Sequence, residues 1–342
     1  MRAVAYQKPG KSSVLQVVDR EPGEPTWGTV RVRLAVSGVN PTDWKARSGA
    51  TGPADLPWEE IVPGQDGAGV VDAVGNGVTG VHEGERVWVY LAQHERPTGT
   101  AQEYAVVPAD RVVRLGDASY DVGASLGVPA LTAHRALTVH EDGPRRLSPG
   151  ALEDHTVLVT GGAGAVGHAA IQLAAWAGAS VITTVSSDEK GALATAAGAH
   201  HVVDYRAGDA AAEVGLLAPG GVDLVVDVAI IANADLAARV LKPRGAVSIY
   251  ANTGGTEVTL PVRPWMALNA RLQFILLYTV GETALAAAAE DVATAVAEGV
   301  LGVGEEYGLP LHRFPLEQTA AAHDAVENGA VGKVLIDIAD LD

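Results

Sequence analysis

The first 125 residues alternate short apolar runs with turn-forming residues. In TVRVRLAVSGVN and EYAVVPADRVV, apolar and polar residues alternate along the run, and Gly, Pro and Asn separate one run from the next. Alternation with a period of two, bounded by turn residues, is typical of strands with one buried face. The pattern therefore predicts a compact, mostly β unit in this part of the chain.

From about residue 156 the apolar positions become continuous. The runs VLVTG, SVITTV, HHVVDY, VDLVVDVA and GAVSIYA are separated by alanine-rich stretches of helical length. Strands of a parallel sheet, covered by helices on both faces, give this alternation. We expect a doubly wound parallel sheet here.

The C-terminal third continues with further elements. The run LQFILLYTV at 272–280 predicts another buried strand, and TALAAAAEDVATAVAEG predicts a helix that ends at Gly299. The tail predicts one more helix followed by a closing strand in GKVLIDI.

The pattern G-x-G-x-x-G occurs twice, and its surroundings separate the two copies. The first, at 75–80, contains Asn76-Gly77, a hairpin signal, and no helical period follows it, so we interpret it as structural. The second follows the strand VLVT and opens an apolar stretch of helical period. It predicts a turn whose backbone approaches the pyrophosphate of a dinucleotide at a helix N-terminus, with a purely structural turn as the alternative. Its residues are Gly162, Ala163, Gly164, Ala165, Val166 and Gly167.

The next strand ends in a group that bears on the kind of dinucleotide. Ser186 to Glu189 fits the S-x-x-E capping box, which places Asp188 in the first turn of a helix. Ser186 and Lys190, one helical turn apart, can then hold the 2′-phosphate of NADPH. Asp188 remains the rival, because an acid about 20 residues after the glycine turn binds the ribose 2′-hydroxyl in NADH enzymes.

Charge and composition exclude several classes of protein. The formal net charge is −17, and acidic residues are spread along the chain, which opposes binding to nucleic acid or anionic lipid. The absence of cysteine excludes disulfides, thiolate zinc sites and cysteine nucleophiles. No apolar run reaches about 18 residues, and no signal peptide is evident. We expect a cytoplasmic protein with neither a nucleic-acid nor a membrane partner.

Several segments together resemble the medium-chain dehydrogenase/reductase family, and within it the zinc-free, zeta-crystallin-like quinone oxidoreductase branch. The resemblance covers essentially the whole chain. The segments that carry it are GVNPTDWKARSG, PGQDGAGVV, GNGVTGVHEGERV, GASLGVPALTAHRAL, VLVTGGAGAVG, GAHHVVDYR and GKVLI.

The resemblance implies that the catalytic metal of the family's zinc enzymes is missing. Where those enzymes read Gly-His-Glu, this chain has Gln65-Asp66 after Gly64, and Asn40 lies near the position of a cysteine ligand. A pocket without a Lewis acid favours acceptors that are already electron-poor, such as quinones and conjugated enones. The alternative for Gln65 and Asp66 is a hydrogen-bonded structural pair.

The resemblance also implies roles for single residues. Asn40 is expected beside the nicotinamide and substrate, and Thr132 at the nicotinamide or its ribose; with Gln65 these are the candidate catalytic residues. A turn residue before Pro41 and a helix-interior hydroxyl are the respective alternatives for the first two. The other implied cofactor contacts are Lys190, Tyr205, Val228, Ala229 and Lys333.

Two of those contacts have structural alternatives, and one expected group is missing. Tyr205 is also explained as an aromatic residue at a strand end, and Val228 and Ala229 as core. A tyrosine proposed as proton donor in related enoyl reductases has no counterpart at Ala50 and Thr51, so water is the expected proton source, with Tyr90 and Tyr278 as the alternatives.

The resemblance gives a domain plan and a function. It implies a GroES-like catalytic domain at residues 1–126, a Rossmann NADP-binding domain at 127–272 and a return to the catalytic domain at 273–342. The expected reaction is NADPH-dependent hydride transfer to a small quinone or α,β-unsaturated carbonyl. A pathway-specific enoyl reductase acting on an acyl or polyketide-like intermediate, and an NADPH-binding crystallin-like protein without turnover, remain open.

The run at 272–280 also bears on assembly. An apolar strand at the edge of a sheet is exposed unless it is covered or paired. We therefore expect a homodimer that pairs this edge across a two-fold axis.

Overall fold

The computed structural model describes residues 1–51 and 56–341. This described chain divides into two compact units, Met1–Val128 with Pro310–Asp342, and Pro129–Leu309. The first half contains two helices, α1 (Pro41–Ser48) and α2 (Tyr120–Leu137). Its strands are β1 (Arg2–Ala5), β2 (Gln16–Asp19), β3 (Thr29–Val39), β4 (Asp66–Val74), β5 (Arg86–Val89), β6 (Tyr104–Pro108) and β7 (Val112–Arg114).

The second unit alternates strands and helices. Its strands are β8 (Thr156–Thr160), β9 (Ser180–Val185), β10 (His201–Asp204), β11 (Val222–Asp227), β12 (Leu241–Ile249) and β13 (Arg271–Phe274). Its helices are α3 (Ala165–Trp176), α4 (Asp188–Ala196), α5 (Ala210–Leu217), α6 (Ile230–Val240), α7 (Val262–Ala267) and α8 (Glu282–Ala297). The chain then adds β14 (Leu311–Pro315), α9 (Thr319–Glu327) and β15 (Lys333–Asp337) to the first unit.

The main sheet of the first unit runs in the order β14-β15-β3-β4-β5-β7, and β6 also pairs with β3. Neighbours are antiparallel except for β14 and β15. The burial of β3 and β6 alternates along part of each strand, as the sequence pattern predicts, and their inward residues form one apolar core with β1 and β15. The predicted mostly β unit is confirmed.

The second unit contains a parallel sheet in the order β10-β9-β8-β11-β12-β13 within the residues described. The chain moves outward from β8 to β10 and then returns to β11 on the other side of β8. Strand order therefore reverses between β8 and β11, which is where such sheets bind ligands at their carboxyl ends. The doubly wound sheet is confirmed.

Two predicted elements differ from the structure. LQFILLYTV is not one long buried strand: β13 is four residues long and ends at Phe274, and a 3₁₀ turn follows at Leu277–Thr279. The pairing stops at Phe274 because the neighbouring strand β12 ends at its partner Ile249. Helix α8 ends at Ala297, and Gly299 just beyond it has the left-handed φ of 72° that favours glycine.

The unit boundary also differs from the predicted plan. The sequence places the return to the first domain at about residue 273, whereas residues 273–309 lie in the second unit. Side-chain bonds explain this: His134 in α2 bonds to Asp291 in α8 at 2.7 Å, and His168 in α3 bonds to the carbonyl of Tyr307 at 2.8 Å. The chain rejoins the first unit only at Pro310.

The first glycine pattern lies where the sequence places it, in a turn. It follows β4, and antiparallel β5 comes next, so Asn76-Gly77 is part of a hairpin connection. Gly77 has a φ of 79°. A search of the described helices finds none with the length and apolar character needed to cross a bilayer.

Candidate active site

The second glycine pattern forms a tight turn between β8 and α3. Gly161 has a φ of 71°, and Gly164 is the N-cap of α3. A Cβ on Gly162 would stand 2.2 Å from Thr183 Oγ1, and one on Gly167 would stand 2.4 Å from the Gly161 carbonyl oxygen. Glycine is therefore required for close packing at both positions.

The same turn offers donors to an anion. Helix α3 has no side-chain hydrogen bond at its N-cap and no acidic residue in its first turn. First-turn amides of a helix lack intrahelical acceptors, and the helix dipole adds partial positive charge. The turn at Gly162–Gly167 therefore offers backbone donors of the kind that a pyrophosphate needs, and pyrophosphate binding there stays a prediction.

A buried aspartate fixes the carboxyl ends of β8 and β11. Asp227 accepts hydrogen bonds from Thr160 Oγ1 at 3.0 Å, Asn233 Nδ2 at 2.8 Å and the Ala229 backbone amide at 2.9 Å. Thr160 Oγ1 in turn accepts from the Val228 amide at 3.1 Å. The glycine turn and residues 228–229 are thereby held next to each other.

The pKa of Asp227 is raised by its burial, although these hydrogen bonds favour the charged form and oppose the rise. Sequence analysis did not select Asp227, because its strand VDLVVDVA has the pattern of plain core. The sequence feature that could have identified Asp227 is an acidic residue at the last position of an apolar strand, where the side chain can reach the backbone of the next loop.

The pair predicted to hold a 2′-phosphate is formed. Lys190 Nζ donates to Ser186 Oγ at 3.0 Å, both at the carboxyl end of β9. The predicted cap is wrong by one residue: the N-cap of α4 is Ser187, whose hydroxyl accepts from the Lys190 amide. Because α4 begins one residue later, Ser186 is released from capping and its hydroxyl meets the lysine instead. Asp188 lies in the first helical turn, as predicted.

The other predicted residues of this unit lie at the same edge or in a helix. Tyr205 follows β10, its backbone bonds to the Val185 carbonyl, and its side chain is 49% exposed. Val228 and Ala229 are half-buried rather than core. Thr132 is buried within α2, which agrees with the helix-interior alternative. The structure does not place it with the residues at the carboxyl ends of the parallel strands.

A cavity of about 470 Å³ opens at the carboxyl ends of β12 and β13. Glu257 is the charged residue of a lining that is otherwise uncharged. The cavity begins at Ile230, directly after Ala229, and includes Tyr250, Phe274 and Leu276. It can accommodate a flat apolar group and offers no cation to an anionic one.

In the first unit, Asn40 is part of a buried polar cluster. It is 2% exposed and precedes α1 as its N-cap, and its backbone amide donates to Asp43 Oδ2 at 2.7 Å. Its side-chain Nδ2 donates to Asp66 Oδ2 at 2.7 Å, and its Oδ1 accepts from Lys333 Nζ at 2.8 Å. Asn40 is therefore more than a turn residue before Pro41.

Asp66 is the centre of this cluster. Its carboxylate is fully buried at the start of β4, and it also accepts from the Val128 amide at 2.9 and 3.0 Å. Val128 precedes Pro129, and that proline interrupts the backbone bonding of α2. A Cβ on Gly127 would stand 2.0 Å from Asp66 Oδ1, so only glycine lets the carboxylate approach the helix this closely.

Lys333 supplies the positive charge of the cluster. Its side chain is 2% exposed, and Nζ lies 3.6 Å from Asp66 Oδ2. Burial lowers the pKa of Lys333, and the carboxylates of Asp66 and Asp43 oppose this. Burial raises the pKa of Asp43 to about 7, and the Asn40 amide opposes that rise. The resemblance implies a cofactor contact for Lys333, whereas the contacts described here are with Asn40 and Asp66.

Gln65 lies next to this cluster but has its own partner. Its Nε2 donates to Gln93 Oε1 at 3.1 Å, and its buried Oε1 has no partner among the described residues. The described chain also contains no group of three His, Cys, Asp or Glu side chains that could hold a metal. Gln65 offers an amide, and both oxygens of Asp66 already accept hydrogen bonds from Asn40 and Val128. The residues here therefore do not fit a zinc ion.

Comparison with known proteins identifies the family. A model described as the alcohol dehydrogenase GroES-like domain matches residues 26–117, and one described as zinc-binding dehydrogenase matches residues 165–294. A 2-haloacrylate reductase from a Burkholderia species is 31% identical over 333 residues, covering 94% of this chain and 94% of that protein. The chain belongs to the medium-chain dehydrogenase/reductase family.

Solved structures of medium-chain dehydrogenases/reductases match nearly the whole chain. An NAD-dependent alcohol dehydrogenase is 29% identical, with a TM-score of 0.85 and coverage of 99% of this chain and 100% of that one. A quinone oxidoreductase from Escherichia coli, complexed with NADPH, is 25% identical, with a TM-score of 0.80 and coverage of 98% and 100%. The predicted resemblance and fold class are confirmed, and the chain is an oxidoreductase.

Proposed function

We propose that this chain reduces a quinone or an α,β-unsaturated carbonyl compound with NADPH as cofactor. The observation that carries the proposal is the Lys190–Ser186 pair at the carboxyl end of β9, one strand away from the glycine turn after β8. A dinucleotide whose pyrophosphate sits on that turn extends its adenosine ribose toward the end of β9. A cation and a hydroxyl at that point suit a 2′-phosphate.

The competing cofactor is NADH, through Asp188. The acid occupies the first turn of α4, where its negative charge is stabilised by the helix dipole. One structural relative is named as NAD-dependent and another is complexed with NADPH, so relatives support either cofactor. The position of Lys190 supports NADPH, because a neutral ribose hydroxyl has no need of a cation.

Each group of residues has a distinct task in this proposal. The turn at Gly162–Gly167 holds the pyrophosphate, and Tyr205 flanks the 2′-phosphate. Val228 and Ala229 present backbone to the nicotinamide ribose, and Thr132, which is buried within α2, is assigned to the nicotinamide from the resemblance alone. When the cofactor is bound, its nicotinamide ring supplies a hydride to the acceptor.

Asn40 and Gln65 are the side chains proposed to act on the acceptor. Asn40 donates a hydrogen bond to the acceptor oxygen, and the unpartnered Gln65 Oε1 accepts one from a bound water or hydroxyl. Electron-poor acceptors such as quinones need the least stabilisation of developing charge, which suits a site that does not fit zinc. Water supplies the proton, since Ala50 and Thr51 offer no acid.

A second candidate is an enoyl reductase that acts on an acyl intermediate. The name 2-haloacrylate reductase describes a relative that acts on a conjugated double bond, which favours this candidate. The apolar cavity beyond Ala229 also suits an acyl chain. A preference for an enoyl thioester over the free enone would support the acyl substrate.

We also propose a homodimer in the cytoplasm. Edge strand β13 and the segment after it expose Phe274 by 62% and Leu276 by 59%, and Val262 and Met266 nearby are exposed as well. Burial of such side chains against a second copy contributes about 25 cal/mol per Å² of apolar surface. Light scattering of the wild type and of Phe274→Asp tests this: the variant is expected to be a monomer.

The cofactor test is a titration with NADPH and NADH, followed by nicotinamide fluorescence, in the wild type, Lys190→Ala and the control Lys242→Ala. Lys242 pairs with Asp223 at the other end of the sheet. We expect NADPH to bind at least about tenfold tighter than NADH, a gap of ~1.4 kcal/mol. Only Lys190→Ala should remove that gap.

Other results would overturn parts of the proposal. Equal or tighter binding of NADH would make Asp188 the ribose ligand. Binding of neither cofactor would remove the whole proposal. Binding of NADPH without its oxidation by 1,2-naphthoquinone or an enone would leave the crystallin-like alternative.

A further inference from the structure

The side-chain amide of Asn40 is held at both ends. Its Nδ2 donates to Asp66 and its Oδ1 accepts from Lys333. An ammonium group has no acceptor and an ionised carboxylate has no donor, so the reversed amide would place like groups opposite each other at both ends. The amide of Asn40 therefore has one allowed orientation.

The second N–H of the Asn40 amide makes no hydrogen bond among the described residues. Nδ2 carries two hydrogens, and the bond to Asp66 is the one it makes among residues 1–51 and 56–341. Hydrogen bonds in a chain polarise one another, and the effect is largest in a low-dielectric interior. A cation bonded to the amide oxygen thus makes the remaining N–H a stronger donor.

We propose that Lys333 acts through Asn40 as a charge relay: its ammonium polarises the Asn40 amide, and the free N–H donates to the acceptor oxygen as that oxygen becomes negative. The inference rests on the proposed reduction of a conjugated carbonyl and deepens it. Asn40 is then a catalytic residue, and Lys333 and Asp66 are positioning residues. The acceptor gains a hydride from the cofactor and a proton from water, so none of the three side chains is consumed or altered.

The neighbours of the relay favour its charged form and fix its geometry, whereas burial lowers the pKa of Lys333 and raises that of Asp66. Asp66 compensates the buried ammonium, which would otherwise be costly to keep in the interior. The Val128 amide donates to both oxygens of Asp66 and holds the carboxylate beside Asn40, and the absence of a Cβ at Gly127 leaves room for this approach. The relay thus provides charge stabilisation at a position where the zinc enzymes of the family use a metal.

The proposal predicts that the effect depends on the acceptor. An electron-rich enone places more charge on its oxygen than a quinone does, so it gains more from a polarised donor. We expect Lys333→Met to lower kcat roughly 10-fold with cyclohexenone and only about 2-fold with 1,2-naphthoquinone, and Asn40→Ala to lower both by about 100-fold. Lys333→Arg should retain most activity, and the control Lys242→Met should match the wild type.

A double variant separates the relay from simple charge compensation. Asp66→Asn leaves Lys333 unpaired, whereas Asp66→Asn with Lys333→Met contains no buried ion at either position. We expect the double variant to recover thermal stability but not kcat with cyclohexenone. Recovery of both would show that the cluster is only structural. An equal loss with every acceptor, or weaker NADPH binding in Lys333→Met, would also overturn the relay.

A readout without turnover distinguishes failure of the relay from failure of the proposed function. The phenolic oxygen of 4-nitrophenol stands in for the oxygen of the acceptor. Absorbance distinguishes the 4-nitrophenolate anion from the neutral phenol. The wild type should favour the bound anion, and Lys333→Met should lose that preference. Turnover with unaltered anion preference would overturn the relay alone. Anion preference without turnover would overturn the proposed reaction alone, and absence of both would overturn both.

Discussion

Asp66 in the first unit and Asp227 in the second are buried carboxylates with similar hydrogen bonds and different charge balance. Each is fully buried, and each accepts from an asparagine side chain and a backbone amide. Asp66 has the ammonium of Lys333 at 3.6 Å, whereas neutral groups satisfy Asp227. Similar geometry therefore serves two purposes.

The different charge balance at Asp66 and Asp227 shows two ways in which a protein interior can use a buried carboxylate. Neutral donors fix the position of Asp227, and through it the backbone of the loop that starts at Val228. The ammonium of Lys333 beside Asp66 adds a positive charge, and that charge polarises a third group, the Asn40 amide. We infer that the second unit uses a buried acid to build a binding surface, and the first uses one to support chemistry.

The largest expected effect comes from removing the charge of Asp66. Asp66→Asn leaves Lys333 buried without its nearest counter-charge, which should lower the free energy of unfolding by about 3–5 kcal/mol. Urea denaturation followed by circular dichroism measures this. Asp227→Asn is the matched variant without a nearby cation. If the two substitutions destabilise equally, charge balance is not what distinguishes the two sites.

The next effect tests the space that Asp66 requires. Gly127→Ala would place a methyl group 2.0 Å from Asp66 Oδ1, so the carboxylate or α2 has to move. We expect a loss of about 1–3 kcal/mol in the free energy of unfolding. Gly215→Ala is the control, because Gly215 lies in α5 with nothing within 4 Å of its added Cβ. The control should be neutral or slightly stabilising, and equal stability of both variants would contradict the close approach.

A smaller effect is expected at Asp227. Asp227→Asn keeps one acceptor oxygen but places an NH₂ group opposite the donors that bonded to the other oxygen. This should lower the free energy of unfolding by about 1–2 kcal/mol. Because the loop at Val228 and Ala229 loses a fixed partner, NADPH should also bind more weakly, as measured by nicotinamide fluorescence. Unchanged NADPH affinity in a folded variant would separate Asp227 from the cofactor site.

The smallest effect is a change in pH dependence at Asp43. Its pKa is about 7 in the folded chain against 3.8 for an ordinary aspartate, so the folded state holds its proton more tightly. Stability from this group is complete below pH 3.8 and is lost as the pH rises to about 7. The stability advantage of the wild type over Asp43→Asn should therefore shrink between pH 5 and pH 8 in urea denaturation. A constant difference would contradict the raised pKa.

The sequence predicts those features that depend on neighbours along the chain. The parallel strands, the glycine turn at 162–167 and the Ser186–Lys190 pair all follow from local patterns or from spacing within one helical turn. The cap at Ser186 is wrong because two serines stand in succession, and either can end the strand and start the helix. The length of LQFILLYTV is also overestimated, because an apolar run does not show where a neighbouring strand stops.

The buried cluster lies beyond such patterns. Asn40 bonds to a residue 26 positions away and to another 293 positions away, and Asp66 bonds to an amide 62 positions away. Only the resemblance to a family placed Asn40 and Gln65 near an acceptor, and it gave Lys333 no link to Asn40. Gly127 and Asp43 were not selected at all, since each appears ordinary beside its own neighbours.

The close approach of Gly127 to Asp66 restricts how this chain can change over evolutionary time. A glutamate at position 66 needs room for one more methylene where α2 already leaves none, and a side chain at position 127 needs a residue smaller than aspartate at position 66. Loss of the acid would also leave the ammonium at position 333 without its nearest counter-charge. Substitutions at these three positions should therefore appear together in related sequences, and single intermediates between such combinations should be rare.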